Sequence, residues 1–435
     1  MRWPTTGLWH NSDFIKLWIG QAVSQVGDRI TRGGLPLAAV LTLHATAGDM
    51  SLLIVVLAAP MLLVGLLAGV WVDRLRRRPL MIFTDLARAA VLATIPLAAA
   101  FGVLGLPQIY VVAALTGVLS VLFNVADQSY LPSLLPPEQL LEGNSKLTAT
   151  SSIAEIVGPA LAGGLVQLIT APLAIAVDAV TFLWSAAFVS RIRKPEPPPP
   201  PPADRTPIWS DIQAGLRLVL GHPLLRPLAL SAAMRSFFGT FYWVLYDLYV
   251  LRELQLTPVV LGLLIAAGGV GALPGALIAG RVVRRFGLAR TLLGTRLIAT
   301  MVGFFTPLAP VGLLAVGFLM ISQLVGDGVS TVYEINEVTL RQTLIPGPLQ
   351  GRAHASTGFL IGALQPFAAV AAGLIADHYD ARTALLVATL GGAVAWVYLA
   401  LSPVRRVPDT PSEGTGWSAG VATADSLAGP VPSDT

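Results

Sequence analysis

Twelve long apolar stretches follow one another along this chain, and they decide most of what it can fold into. The hydrocarbon of a bilayer holds no water, so a crossing segment must satisfy its own backbone. A helix of about 20 apolar residues does this. No charged residue occurs from Ser51 to Val72, or from Leu254 to Gly280. A soluble amphipathic helix would need a polar face. The expected fold class is therefore all-α and membrane-embedded, with twelve transmembrane helices. Charged residues are only 12% of the chain, about half the share in soluble domains.

Composition also excludes several chemistries. The absence of cysteine excludes disulfides, thiolate metal sites and cysteine nucleophiles. The five histidines (His10, His44, His222, His354 and His378) have no zinc-site spacing, so no metal is expected. No Gly-x-x-x-x-Gly-Lys phosphate loop is present. The chain is not expected to be an enzyme or to carry a cofactor; an ion gradient, with protons first, is the expected energy source. The excess of Lys and Arg (28 against 24 Asp and Glu) lies in short loops, which points away from nucleic acid.

The spans are expected near 14–43, 51–72, 80–104, 107–130, 147–169, 171–190, 227–250, 257–280, 290–308, 311–335, 354–376 and 383–403. Basic residues follow the even spans: Arg74 and Arg76 to Arg78, then Lys146, then Arg191, Arg193 and Lys194, then Arg281, Arg284, Arg285 and Arg290, then Arg341 and Arg352, then Arg405 and Arg406. The opposite loops hold little beyond Arg252 and Arg382. The positive-inside rule then puts both termini in the cytoplasm, with the first span as its own insertion signal.

Six prolines, Pro197 to Pro202, form a stiff spacer after the sixth span. Trp209 to Leu220 then reads as a short interfacial helix. The expected units are 1–190 (a six-helix bundle), 191–222 (the cytoplasmic linker), 223–406 (a second six-helix bundle) and 407–435 (a polar, Gly/Pro-rich disordered tail). The halves coincide at an offset of 210 or 211 residues. Gly69, Asp73 and Arg74 meet Gly280, Arg284 and Arg285; Leu134-Leu135-Pro136 meets Leu344-Ile345-Pro346; Gly163 meets Gly373; Ser120, Asn124 and Asp127 meet Ser330, Glu334 and Glu337. Two repeated six-span halves form a transporter architecture.

The string Gly69-x-x-x-Asp73-Arg74-x-x-Arg77-Arg78 resembles the loop 2–3 signature of the major facilitator superfamily, and the likeness extends over nearly the whole chain. Finer features are similar to the drug/proton antiporter branch with macrolide-efflux and enterobactin-exporter proteins. They are Leu17-Trp18-Ile19-Gly20-Gln21 with Gly27-Asp28, Asp85 with Arg88, and Gly158-Pro159 with Gly163-Gly164. Two departures stand out. Three residues separate Gly158-Pro159 from Gly163-Gly164 where two are usual, and Leu106 to Asp127 carries no basic residue where such antiporters often have an arginine. The resemblance implies two pseudo-symmetric bundles and export of a drug, antibiotic or siderophore-like metabolite by a monomer in a bacterial cytoplasmic membrane.

Charged groups inside spans are expensive in hydrocarbon, so they face a cavity or a partner. Gln21, Gln25, Asp28 and Arg32 step by 4, 3 and 4 along one helical face. Asp28 and Arg32 fit an intrahelical ion pair and a substrate or proton role equally. Glu155 and Asp178 each stand in an apolar helix, where a buried carboxyl can exchange a proton, so both join Asp28 as proton-coupling candidates. Asn124, Asp127, Asp327 and Glu334 share polar faces and join Gln21, Gln25 and Arg32 as cavity candidates. Arg235, Tyr242 and Tyr246 add aromatic rings suited to an amphipathic or cationic solute, although a tyrosine stripe also serves packing. Gly69, Asp73, Arg74, Arg77 and Arg78 are the candidate gate, and Gly158, Pro159, Gly163 and Gly164 the candidate helix-bend motif. An importer of the same fold and a non-transporting receptor or scaffold remain the rival readings. Buried polar stripes speak against the scaffold.

Overall fold

The computed structural model describes residues 8–64, 75–196, 216–345 and 347–407. Gly69, Asp73 and Arg74 of the basic string, the proline run, most of the interfacial segment and the tail lie outside these residues. Twelve long α-helices occur among the described residues, with a short helical stretch at 216–221 and no strand. They are α1 (Ser12–Leu37), α2 (Ala47–Leu63), α3 (Arg77–Ala100), α4 (Leu106–Leu134), α5 (Pro137–Ile169), α6 (Ala171–Val189), α7 (Leu225–Leu248), α8 (Pro258–Phe286), α9 (Leu288–Gly303), α10 (Leu314–Leu344), α11 (Gly347–His378) and α12 (Ala381–Leu401). Nine of these regions are long and apolar enough to cross a bilayer on length and composition alone. The other three are α1, whose polar stripe lowers its hydropathy, and α2 and α9, of 17 and 16 residues.

Each expected span overlaps one helix, the end of the second (65–72) lying outside the described residues, and five helices overrun. Helices α4, α5, α8, α10 and α11 have 29, 33, 29, 31 and 32 residues. At 1.5 Å per residue they exceed the hydrocarbon thickness of about 30 Å, so their ends project into water. That is why an apolar pattern alone underestimates them.

Helices α1, α3, α4 and α6 are tied together at one end, here called the linker end. The Asp13 carboxylate, in the first turn of α1, accepts from the Arg193 and Lys194 amides at 3.2 and 2.9 Å. Lys194 Nζ donates to the Leu134 carbonyl that closes α4 (2.9 Å). Arg78 donates to Val189 and Ser190 carbonyls at the close of α6 (3.2 and 2.5 Å). The Glu196 carboxylate accepts from the Arg77 and Arg78 amides that open α3 (2.6 and 3.1 Å). These are the orphan groups of helix ends, met by charges of the sign each end favours.

The opposite, far end shows the repeat at backbone level. The exits of α1 and α7 both loosen into π-helix, at Ala38–Thr42 and Tyr249–Glu253. His44 (φ 53°) and Gln255 (φ 56°) then turn left-handed. Thr46 and Thr257 follow as hydroxyl caps, on Asp49 (3.2 Å) and Val260 (3.4 Å) amides, at the starts of α2 and α8. Every pair is 211 residues apart. A left-handed turn at a residue with a β-carbon costs about 1–2 kcal/mol, so both loops store the same local strain.

Between the halves, α5 packs on α8 and α2 on α11. Without a hydrophobic force between helices in lipid, close approach depends on small residues. A β-carbon on Gly163 would land on the Pro258 carbonyl, and one on Gly262 on the Pro159 carbonyl. On the other seam, one on Gly373 would meet the Ser51 hydroxyl.

Candidate functional site: the space between the bundles

Contacts between halves gather toward the far end, whereas facing surfaces nearer the linker end are open. The Glu155 side chain on α5 is 63% exposed and that of Glu334 on α10 is 56% exposed, although both lie in apolar helices. Asn124 on α4 and Asp327 on α10 are also exposed.

Three ion pairs stand around this space. Arg29 of α1 reaches Glu155 of α5 (3.3 Å); Arg32 pairs with Asp28 one turn away (3.0 Å); Arg235 of α7 pairs with Glu334 of α10 (3.5 Å). Glu155 is thus partnered and open to solvent, unlike the isolated carboxylate its sequence context suggests. Arg29 was missed because it lies beside the Gln21–Arg32 stripe rather than on it. A β-carbon on Gly158 would strike the Arg29 side chain, so this glycine makes room for the pair. Pro159 and Gly163 belong to the α5–α8 seam, and nothing lies within 4 Å of the position beside Gly164.

The polar stripe of α1 divides. Gln21 is buried and donates to the Asp127 carboxylate of α4. Gln25 Oε1 is enclosed with no hydrogen-bond partner among the described residues. Asp178 of α6 is fully buried; Thr181 donates to its Oδ1 (2.8 Å), and its Oδ2 has no hydrogen-bond partner there. Thr31 and Asp28 of α1 are its neighbours, and α1 reaches it because residue 27 is glycine. Buried polar groups without partners are rare, and an ordered water or a proton is the usual remedy.

Deeper in the first bundle, Asp85 and Arg88 of α3 form an ion pair (2.5 Å) that is almost wholly buried. The guanidinium lies 4.0 Å from the Phe182 ring centre and 4.4 Å from that of Phe123, and it donates to Ser120 (3.3 Å). In the second bundle Arg296 of α9 lies 5.2 Å from the ring of Tyr333, which is 210 residues after Phe123. Their sequence signal was charge within apolar helices, but the stacking partners sit on other helices.

The tyrosines of α7 do not act as one wall. Tyr242 shares a 2.6 Å hydrogen bond with Thr389 and donates to the Gly303 carbonyl (3.4 Å), so its hydroxyl turns into the second bundle. The Tyr246 hydroxyl is enclosed, with no hydrogen-bond partner among the described residues, and Tyr249 bonds the Thr306 carbonyl (3.0 Å). Asp327 lies against Gly268 of α8. No cluster of metal-ligating side chains occurs among the described residues.

Two bundles with polar side chains facing a shared space define a polytopic membrane transporter rather than an enzyme. The Major Facilitator Superfamily model matches residues 17–364, and the chain belongs to that family. It is 28% identical to the multidrug efflux pump Tap of Mycolicibacterium fortuitum, over 86% of this chain and 92% of that protein. It is 27% identical to the uncharacterized MFS-type transporter y4rN of Sinorhizobium fredii, over 73% and 77%. Among solved structures it resembles the nucleoside transporter NupG, with TM-score 0.73, 10% identity, and coverage of 89% and 99%. It also resembles a bacterial homologue of the iron transporter ferroportin in its inward-facing state, with TM-score 0.66, 19% identity, and coverage of 89% and 98%. At such identities these two likenesses speak for the fold.

Proposed function

We propose that this transporter exports a small, partly apolar solute across a bacterial cytoplasmic membrane in exchange for protons. The likeness to the Tap pump supports the outward direction. The basic residues of the linker end, among them Arg77, Arg78, Arg191, Arg193, Lys194, Arg405 and Arg406, support placing that end and both termini in the cytoplasm. On that placement the space between the bundles opens inward, as an exporter requires for loading. Asp28, Arg32, Asn124, Asp327 and the Arg235–Glu334 pair are the groups it offers a solute. Asp73, Arg74, Arg77 and Arg78 form the proposed cytoplasmic gate.

The observation that carries proton coupling is the enclosure of Asp178. Its Oδ2, with no hydrogen-bond partner among the described residues, is where a proton can sit, and its α1 neighbours Asp28 and Thr31 connect it to the face that Arg32 extends into the open space. Glu155, already paired with Arg29, is second to it.

The test is efflux of a panel of macrolides, other antibiotics and siderophores from cells lacking their main exporters, with and without an uncoupler. Wild type should clear at least one compound in an uncoupler-sensitive way, and Asp178→Asn should abolish that loss. Equal export by Asp178→Asn would move coupling to Glu155 or Asp28. Faster uptake would replace export with import.

A further inference from the structure

The two far-end seams use related parts: each brings an acceptor from one half to the start of a helix in the other, with a hydrogen bond formed at one of them. Gln167, in the last turn of α5, accepts the Val259 amide at the start of α8 (3.3 Å). Exactly related by the 210-residue repeat, Asp377 in the last turn of α11 lies over the start of α2. A β-carbon added to Gly48 would sit 2.7 Å from its Oδ2. The first turn of a helix has unsatisfied amides and partial positive charge, so an acceptor there is stabilising. Each half therefore holds an acceptor over the opening turn of a helix from the other half. One further bond has no repeat mate among the described residues: Arg252, in the π-helical exit of α7, donates to the Val40 carbonyl in the π-helical exit of α1 (3.1 Å). A π-helical turn shifts the backbone hydrogen-bond register, and such turns concentrate at functional positions.

We propose that Gln167, Asp377 and Arg252 together form the far-end gate, a reciprocal pair of inter-half caps closed by one arginine bolt. They position the halves for the transport step and contact no solute. Both seams must part for the far end to open, because Gln167 and Asp377 each reach from one half onto the other. This also accounts for Arg252, one of the two arginines that stand on the side the positive-inside rule leaves nearly empty. The inference depends on the packing alone and holds for either direction of transport.

The chain has no cysteine, so spin labels can be placed in the full-length protein without removing any. Leu173→Cys on α6 and Val311→Cys before α10 put exposed labels on opposite halves at the far end. Leu75→Cys and Phe286→Cys do so at the linker end. Distances would be measured by pulsed electron resonance in nanodiscs without substrate. Arg252→Met, and Gln167→Leu with Asp377→Leu, should each raise the long-distance population at the far end several-fold and shorten the linker-end distance. Gln167→Glu places a charge where Asp377 already has one and should shift the population toward closure. Unchanged far-end distances in both opening variants would overturn the proposal. So would broadening at both ends together, which reports loosened packing rather than a gate. If either opening variant fails to fold, Arg252→Lys and Gln167→Glu decide the matter. Partial opening by the first and closure by the second are expected, and no movement in either rejects the gate.

Discussion

Single residues in this protein are understood through what encloses them. Asp85 and Arg88 would be a poor choice in a soluble core, where a buried ion pair seldom outdoes a packed apolar pair. Here the guanidinium also fills the gap between Phe123 and Phe182, so its charge and its flat faces are both used. Removing one partner leaves the other charge uncompensated. Asp85→Ala should destabilise the protein by about 3–5 kcal/mol, with the double variant Asp85→Ala, Arg88→Leu recovering a substantial part. Thermal unfolding in detergent, followed by tryptophan fluorescence, measures both. A double variant no more stable than Asp85→Ala would show that stacking and shape, rather than charge balance, hold the site.

At the scale of elements, helix ends carry information that apolar periodicity does not. The start of α7 is capped by a histidine: His222 Nδ1 accepts from the Leu224 and Leu225 amides (3.2 and 3.3 Å). Partial burial holds this imidazole below its ordinary value of 6.5. The folded state therefore binds the proton less readily than the unfolded chain. The cap's contribution is complete above the unfolded value and is lost as pH falls through the lowered folded one. Hydrogen exchange at the first turn of α7 should accelerate between about pH 7.5 and 5 relative to the other helix starts. His222→Asn supplies an uncharged acceptor and should remove the pH dependence. If the turn stays pH-sensitive in that variant, another group governs it.

At the scale of the whole molecule, two bundles meet along two seams built on glycine. Gly163 and Gly373 are repeat mates, and each faces the other half without a β-carbon to spare. Gly163→Ala and Gly373→Ala should each favour opening of the far end, read as faster maleimide labelling of a cysteine at residue 259. Gly164→Ala is the control: it meets nothing within 4 Å and should leave labelling unchanged. Equal labelling in all three variants would mean that the seams have slack the static structure does not show.

The sequence by itself determined the class of fold and the internal repeat. These follow from a solvent that tolerates only self-satisfied backbone and from motifs recurring at one offset. It also pointed to the residues that are costly in hydrocarbon, Asp28, Glu155, Asp178 and Glu334 among them. Tertiary structure decided which of them are alone. Glu155 turns out to be matched by Arg29, Tyr242 turns its hydroxyl into its own bundle, and Asp178 keeps one oxygen without a partner among the described residues. Such facts depend on distances between helices far apart in the chain, and periodicity along a single helix contains no record of them. The repeat was legible as matching letters, whereas the cross-half placement of Gln167 and Asp377 became visible only when the seams brought α5 to α8 and α11 to α2.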